Sequence, residues 1–238
     1  MCGRFVLISD LSGVVEVFPV AEDSIPPRRS FNIAPGSFVS VILREEKQRL
    51  VLFPWGYPPP WAGGVSAGKT LINARAETAA VKPAFRKSFL ERRCLILSNG
   101  YYEWKKEGKT KIPYFIHLEG KRLFAFAGIF NRRDPADVPG VAILTTEPAP
   151  AVGPIHDRMP VILTGEAALR WLEPAGGGGD FLQSLLGPYR GKDLAAYPVS
   201  RYVNLPAHDS PACIAPLEPG DPGARSTNRL TFPVDYTK

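Results

Sequence analysis

Cys94-Leu95-Ile96-Leu97-Ser98-Asn99-Gly100-Tyr101-Tyr102-Glu103-Trp104 reads as an apolar strand followed by a second strand pattern. The run from Cys94 to Leu97 is too short for a helix and is flanked by turn-forming residues, which argues for a buried strand. After Gly100 the alternation of a strand sends Tyr102 and Trp104 to one face and Tyr101 and Glu103 to the other. A carboxylate wedged among aromatics is a candidate for a raised pKa and for proton transfer, because desolvation favours its neutral form. The plainer alternative is an amphipathic strand with Glu103 in water.

Similar short runs extend outward in both directions: Phe38 to Leu43, Leu50 to Phe53, Tyr114 to Leu118, Leu123 to Phe130, Val141 to Thr145 and Pro160 to Leu163. Their β-branched and aromatic content predicts strands. Lys106-Glu107-Gly108 and Glu119-Gly120 supply hairpin punctuation between neighbouring runs. Helical patterns are fewer: Asp10 to Phe18, Pro83 to Arg92 with a basic face, Glu166 to Leu172, and Asp180 to Leu186. The expectation is an α+β fold with a mixed, mostly antiparallel sheet system. Repeats of 20 to 50 residues are not visible, and proline and glycine are spread rather than pooled at a linker. One domain over residues 1–205 is expected, followed by a proline-rich, mobile tail over 206–238.

At 238 residues the chain is long enough to bury a sizeable core, and 45% hydrophobic with 22% charged residues is a globular composition. Lys and Arg total 29 against 23 Asp and Glu, a net charge of +6. That balance is a mild pull toward polyanions. The three cysteines, Cys2, Cys94 and Cys213, lack CxxC spacing and are odd in number, which argues against a disulfide framework or a zinc site. His117, His156 and His208 are too scattered for a metal motif. With no signal peptide and no long apolar span, the chain reads as cytoplasmic, with no membrane partner.

Five stretches carry chemistry. The chain opens Met1-Cys2-Gly3-Arg4-Phe5, and removal of Met1 leaves an N-terminal cysteine. Its amine titrates at about 8 and its thiol at about 8.5 when unperturbed, so both are nucleophiles near neutral pH. An aldehyde meeting that pair closes a thiazolidine ring. In Asn73-Ala74-Arg75-Ala76-Glu77-Thr78, Asn73 offers two donors to a sugar or carbonyl oxygen and Arg75 a bidentate clamp for phosphate, or else the stretch is a capped turn. Glu103 is the acid-base candidate. Ile155-His156-Asp157-Arg158-Met159-Pro160 offers His156 as a proton shuttle whose charge Asp157 or Arg158 sets. Gly63-Gly64-Val65-Ser66-Ala67-Gly68-Lys69-Thr70 formally matches a phosphate-binding P-loop. The Gly56-Tyr57-Pro58-Pro59-Pro60-Trp61 stretch before it cannot be the buried strand a P-loop follows, so a surface loop is expected.

As an ordered set, Cys2-Gly3-Arg4-Phe5, Phe31-Asn32-Ile33-Ala34-Pro35-Gly36, Trp55-Gly56, the Asn73 motif, Tyr101-Tyr102-Glu103-Trp104 and His156-Asp157-Arg158-Met159-Pro160 resemble the SRAP family of abasic-site processing proteins. The similarity runs from Cys2 to about Asn204 and includes Val199-Ser200-Arg201-Tyr202-Val203-Asn204. It implies one α+β domain around a barrel-like, branched sheet flanked by helices. It implies a monomer that captures abasic sites in single-stranded DNA as a covalent protein-DNA crosslink, without metal or organic cofactor, and that associates with the nucleoid when acting on DNA. An abasic-site lyase activity belongs to the same implication. By similarity Glu103 aids sugar opening and water loss, His156 shuttles protons for ring opening and reversal, and Asn73 positions the sugar or the terminus. Arg4 and Arg75 would hold phosphates, while Pro35, Trp61 and Trp104 would face the bases. The chain departs from the family pattern at Pro148-Ala149-Pro150, where a small residue and Asn are expected, and around Gly63 to Thr70.

Two other functions fit the same residues. One is a cysteine-dependent peptidase cutting its own Met1-Cys2 bond. The other is a noncovalent reader of single-stranded DNA.

Overall fold

The computed structural model describes residues 2–60, 70–132, 134, 136–174 and 178–217. Two open sheets share the chain, with helices at their margins, so the expected α+β class holds while the barrel-like closure does not. The first sheet runs, in spatial order, β13 (Leu194–Pro198), β8 (Thr110–Leu118), β7 (Gly100–Glu107), β1 (Phe5–Leu7) and β2 (Ser30–Ile33). The second runs β11 (Met159–Pro160), β10 (Gly140–Thr146), β9 (Phe124–Asn131), β6 (Arg93–Ser98), β3 (Phe38–Arg44) and β4 (Gln48–Pro54). It branches: β12 (Ile162–Leu163) pairs with β9, and β5 (Asn73–Arg75) lies parallel to β10. The helices are α1 (Leu11–Val17), α2 (Ala76–Ala79), α3 (Arg86–Glu91), α4 (Gly165–Leu172) and α5 (Gly178–Ser184).

The alternation read from residues 100–104 is what seats the sheets. Tyr101 faces the main core, where its ring lies 6.0 Å from Phe126, and Phe5 meets Trp55 at 5.1 Å and Phe126 at 5.6 Å between the two sheets. Tyr102 points the other way, into a second apolar cluster with Val6, Phe115, Val199, Val203, Cys213 and Ile214. Both faces of the first sheet are therefore buried, and the segment after β13 covers the outer one.

That covering segment changes the reading of the tail. Pro206 to Leu217 is not free chain: a 3-10 turn over Pro211–Ile214 buries Cys213, and Asn32 Nδ2 donates to the carbonyls of Val203 at 3.2 Å, Leu205 at 3.1 Å and His208 at 2.6 Å. A low-hydrophobicity segment is held here by one buried amide and a few apolar anchors. The remainder of the expected tail, 218–238, lies outside the described residues.

The Lys106 to Gly108 turn closes the β7–β8 hairpin, with Glu107 opposite Thr110. Glu119-Gly120 does not make a hairpin: it carries the chain from β8 in the first sheet to β9 in the second. A turn signal marks reversal but cannot say which strands pair across it. Asp10 caps α1, accepting from the Gly13 backbone N–H at 3.0 Å and from the Ser12 hydroxyl at 2.7 Å.

Gly100 is required by close approach. A Cβ there would sit 2.4 Å from Phe115 Cζ and 2.8 Å from the Ile116 carbonyl oxygen, so ring and backbone would both have to move. Gly100→Ala is expected to cost about 2 to 3 kcal/mol in urea unfolding, the scale of overpacking in a tight core. Unchanged stability would mean the β7–β8 pair yields more easily than its packing implies.

Candidate active site

The start of the chain is drawn into the fold by β1. Phe5 pairs with Tyr101 and Val6 with Gly100 across the antiparallel ladder, and the Tyr102 N–H donates to the Arg4 carbonyl at 2.9 Å. Continuing that line brings Cys2 to the neighbourhood of Glu103. Cys2 is fully buried, with its Sγ 3.8 Å from the Arg4 carbonyl. Burial pushes its thiol well above the usual range, and the Glu103 carboxylate adds to the rise, so the thiol is held protonated.

Asn73 arrives from β5, whose place is fixed by its parallel pairing with β10, Asn73 opposite Ile143. Its Nδ2 donates to the Cys2 carbonyl at 2.7 Å. Its Oδ1 is buried and has no partner among the described residues, leaving an acceptor available at the site. The Tyr101 hydroxyl is likewise buried and unpartnered among them. Burial, with Cys2 and Glu103 nearby, holds it protonated.

Glu103 is 3% exposed. Burial pushes its carboxyl up to about 7, with Asp157 among the lesser contributions in the same direction. A carboxyl titrating there gives and takes protons at neutral pH with little driving force lost either way. His156 Nε2 lies 3.8 Å from Glu103 Oε2. Burial lowers the imidazole pKa, so the ring is neutral at neutral pH.

The other ring nitrogen has two suitors. The Arg158 backbone N–H donates to His156 Nδ1 at 3.0 Å, and the Asp157 carboxylate lies 2.9 Å from the same atom. Only a bare Nδ1 accepts from the amide, and only a protonated one pairs with the carboxylate. The amide contact suits a ring with its proton on Nε2, toward Glu103; the carboxylate contact suits a ring protonated at Nδ1.

A cavity of about 430 Å³ opens over these groups, lined by Glu103, Trp104, Lys111, His156 and Asn204. Trp104 Nε1 donates to Asn204 Oδ1 at 2.8 Å, fixing the indole at the rim. The structure therefore brings together Cys2, Asn73, Glu103 and His156 from four separate segments.

The DNA-contact expectations divide. Arg75 and Pro35 are exposed and Trp104 is half-buried at the cavity. Arg4 is buried, with Nη1 donating to Asn32 Oδ1 at 2.7 Å and to the Val203 carbonyl at 2.9 Å, which makes it a strut between β1, β2 and the covering segment. Trp61 and most of the glycine-rich stretch, Gly63 to Lys69, lie outside the described residues. Lys111 was not singled out by sequence, because a lysine at the mouth of a hairpin looks like any solvated charge. Asn204 had a weak signal at the end of the Val199–Asn204 motif.

The chain belongs to the SOS response associated peptidase (SRAP) family, whose model matches residues 1–206. It is 43% identical over 222 residues to the abasic site processing protein YoqW of Bacillus subtilis, covering 90% of this chain and 99% of that one. It is 33% identical over 231 residues to the abasic site processing protein YedK of Escherichia coli, covering 91% of this chain and all of that one. The crystal structure of a Bacteroides thetaiotaomicron protein matches with a TM-score of 0.80 at 26% identity, over 91% of this chain and 100% of that one.

The buried carboxyl has a cost that can be measured. Its folded pKa of about 7 lies above the ordinary value of 4.5, so the folded chain holds a proton that the unfolded chain releases between those values. The stability this contributes is fully present below the unfolded pKa and is lost as pH rises through the folded one. Glu103→Gln, a neutral isostere, is expected to gain about 3 kcal/mol over the parent near pH 8 and nothing near pH 4 in urea unfolding. Equal effects at the two pH values would mean Glu103 is not titrating abnormally.

Proposed function

We propose that this protein captures abasic sites in single-stranded DNA through Cys2 once Met1 has been removed. The observation that carries the reading is a buried cysteine at position 2, pinned at its carbonyl by Asn73, beside the buried Glu103 carboxyl. The names of the relatives, abasic site processing proteins, point the same way.

An abasic deoxyribose in its open form carries an aldehyde at C1′. The freed Cys2 amine adds to C1′ and gives a carbinolamine. Protonated Glu103 delivers its proton to the departing hydroxyl; water leaves, and an iminium remains. The thiol then surrenders its proton to the Glu103 carboxylate, directly or by way of His156, and sulfur bonds to C1′. Aldehyde, amine and thiol have become a thiazolidine and one water, and Glu103 is protonated again. Asn73 holds the Cys2 backbone and offers Oδ1 to the amine or to the sugar. Run backwards, the same proton positions serve reversal. At the iminium stage removal of a C2′ proton forms the C2′–C3′ double bond and expels the 3′ phosphate, the route to lyase activity.

Amine-first addition leaves the buried, protonated Cys2 thiol to the last step, where Glu103 takes its proton. Exposed Arg75, with Trp104 and Lys111 at the cavity, supplies the charge and the ring face that a flanking single strand engages. The expected result with Met1-trimmed protein and a single-stranded oligonucleotide bearing one abasic site is a band that persists on a denaturing gel. Cys2→Ala should abolish that band. Persistence of the band in Cys2→Ala would overturn the role of Cys2, and its absence in the parent would leave a noncovalent reader.

A further inference from the structure

Asn73 and His156 reach the site from segments far apart in sequence, and one side chain joins the two. Arg158, two residues after His156, donates from Nη1 to Glu77 Oε1 at 2.7 Å and from Nη2 to Glu77 Oε2 at 2.9 Å. Nη2 also donates to the Thr145 carbonyl at 2.6 Å. Glu77 lies on α2, which follows directly from the Asn73 strand, and Thr145 sits opposite Arg75 in the β5–β10 register. A single guanidinium thus ties α2, β10 and the His156 loop together, using a fork geometry that lysine cannot copy.

Such a pair is not there chiefly for stability. The Glu77 side chain is 47% exposed, and ion pairs of that kind contribute about 1 kcal/mol or less. What the clasp does fix is the backbone at Arg158, whose N–H donates to His156 Nδ1. Asp157, exposed and on the same loop, competes for that nitrogen.

We infer that the Glu77–Arg158–Thr145 clasp holds the Arg158 N–H at His156 Nδ1 and thereby selects the tautomer whose Nε2 proton faces Glu103. Glu77 and Arg158 are positioning residues. With the clasp open, the loop relaxes, Asp157 draws the proton to Nδ1, and Nε2 presents a lone pair to Glu103 instead. The kinetic consequence rests on the proposed abasic-site capture; the tautomer itself does not.

The test uses Glu77→Gln and Arg158→Lys in the full chain with three readouts: imidazole nitrogen NMR, single-turnover crosslinking to an abasic oligonucleotide, and affinity for the undamaged strand. Both variants should shift His156 from the Nε2–H form toward a mixture and slow crosslinking about tenfold, a part of the roughly 10²- to 10⁴-fold that a positioned acid or base contributes. The double variant should be no slower than the slower single, because both break one unit. Glu77→Gln should bind undamaged strand at least as tightly as the parent, since it removes a negative charge. A parent tautomer in both variants would overturn the clasp, as would a loss confined to strand affinity. Failure of the parent to crosslink would count against the proposed function alone, with the NMR still deciding the clasp.

Discussion

The pairing of β1 with β7 is the constraint on which the rest depends. Chain termini usually fray, because few contacts hold them. Here the first residues are laid as an interior strand of a five-stranded sheet, between β7 and the edge strand β2. The ladder that seats Phe5 against Tyr101 in the core also sets Cys2 near Glu103. Core packing and site geometry are then one set of contacts, so disturbing the β7–β8 face should disturb the chemistry as well.

Around that terminus the fold tolerates polar groups that an ordinary core would not. Glu103 is buried with a carboxyl lifted toward neutrality, Asn73 Oδ1 lacks a partner among the described residues, and the Tyr101 hydroxyl does too. Each is destabilising in isolation. Three such groups meeting in one place is the pattern expected where local stability has been given up for reactivity. The Arg4–Asn32 bond and the segment that Asn32 holds work in the opposite sense, bracing the outer face of the same sheet.

The strands were legible because their faces alternate: Tyr101 and Glu103 separate from Tyr102 and Trp104 as the pattern from residue 100 requires. Pairing partners were less so. Glu119-Gly120 reads as a hairpin turn yet joins two sheets, and the three-residue strand at Asn73 carries too few residues to announce itself beside a helix. Composition made residues 206–217 look like tail, because nothing in their own sequence reveals the Asn32 amide that binds the His208 carbonyl. A motif displays charge and not burial, so the bonds of Arg4 to Asn32 and the Val203 carbonyl could not be read from it. Cys2, Asn73, Glu103 and His156 were legible as chemistry one at a time, and only their order along the chain suggested that they meet.

Thiazolidine capture makes a demand that simple imine trapping does not, namely that both nucleophiles of Cys2 are consumed. Mass spectrometry of the N-terminal peptide from the crosslinked protein, after nuclease trimming and treatment with a thiol-alkylating reagent, tests this directly. The expected result is a deoxyribose-derived adduct on Cys2, formed with loss of one water, in which the sulfur resists alkylation. An adduct on a lysine, or one on Cys2 whose thiol still alkylates, would contradict ring closure at the N-terminus.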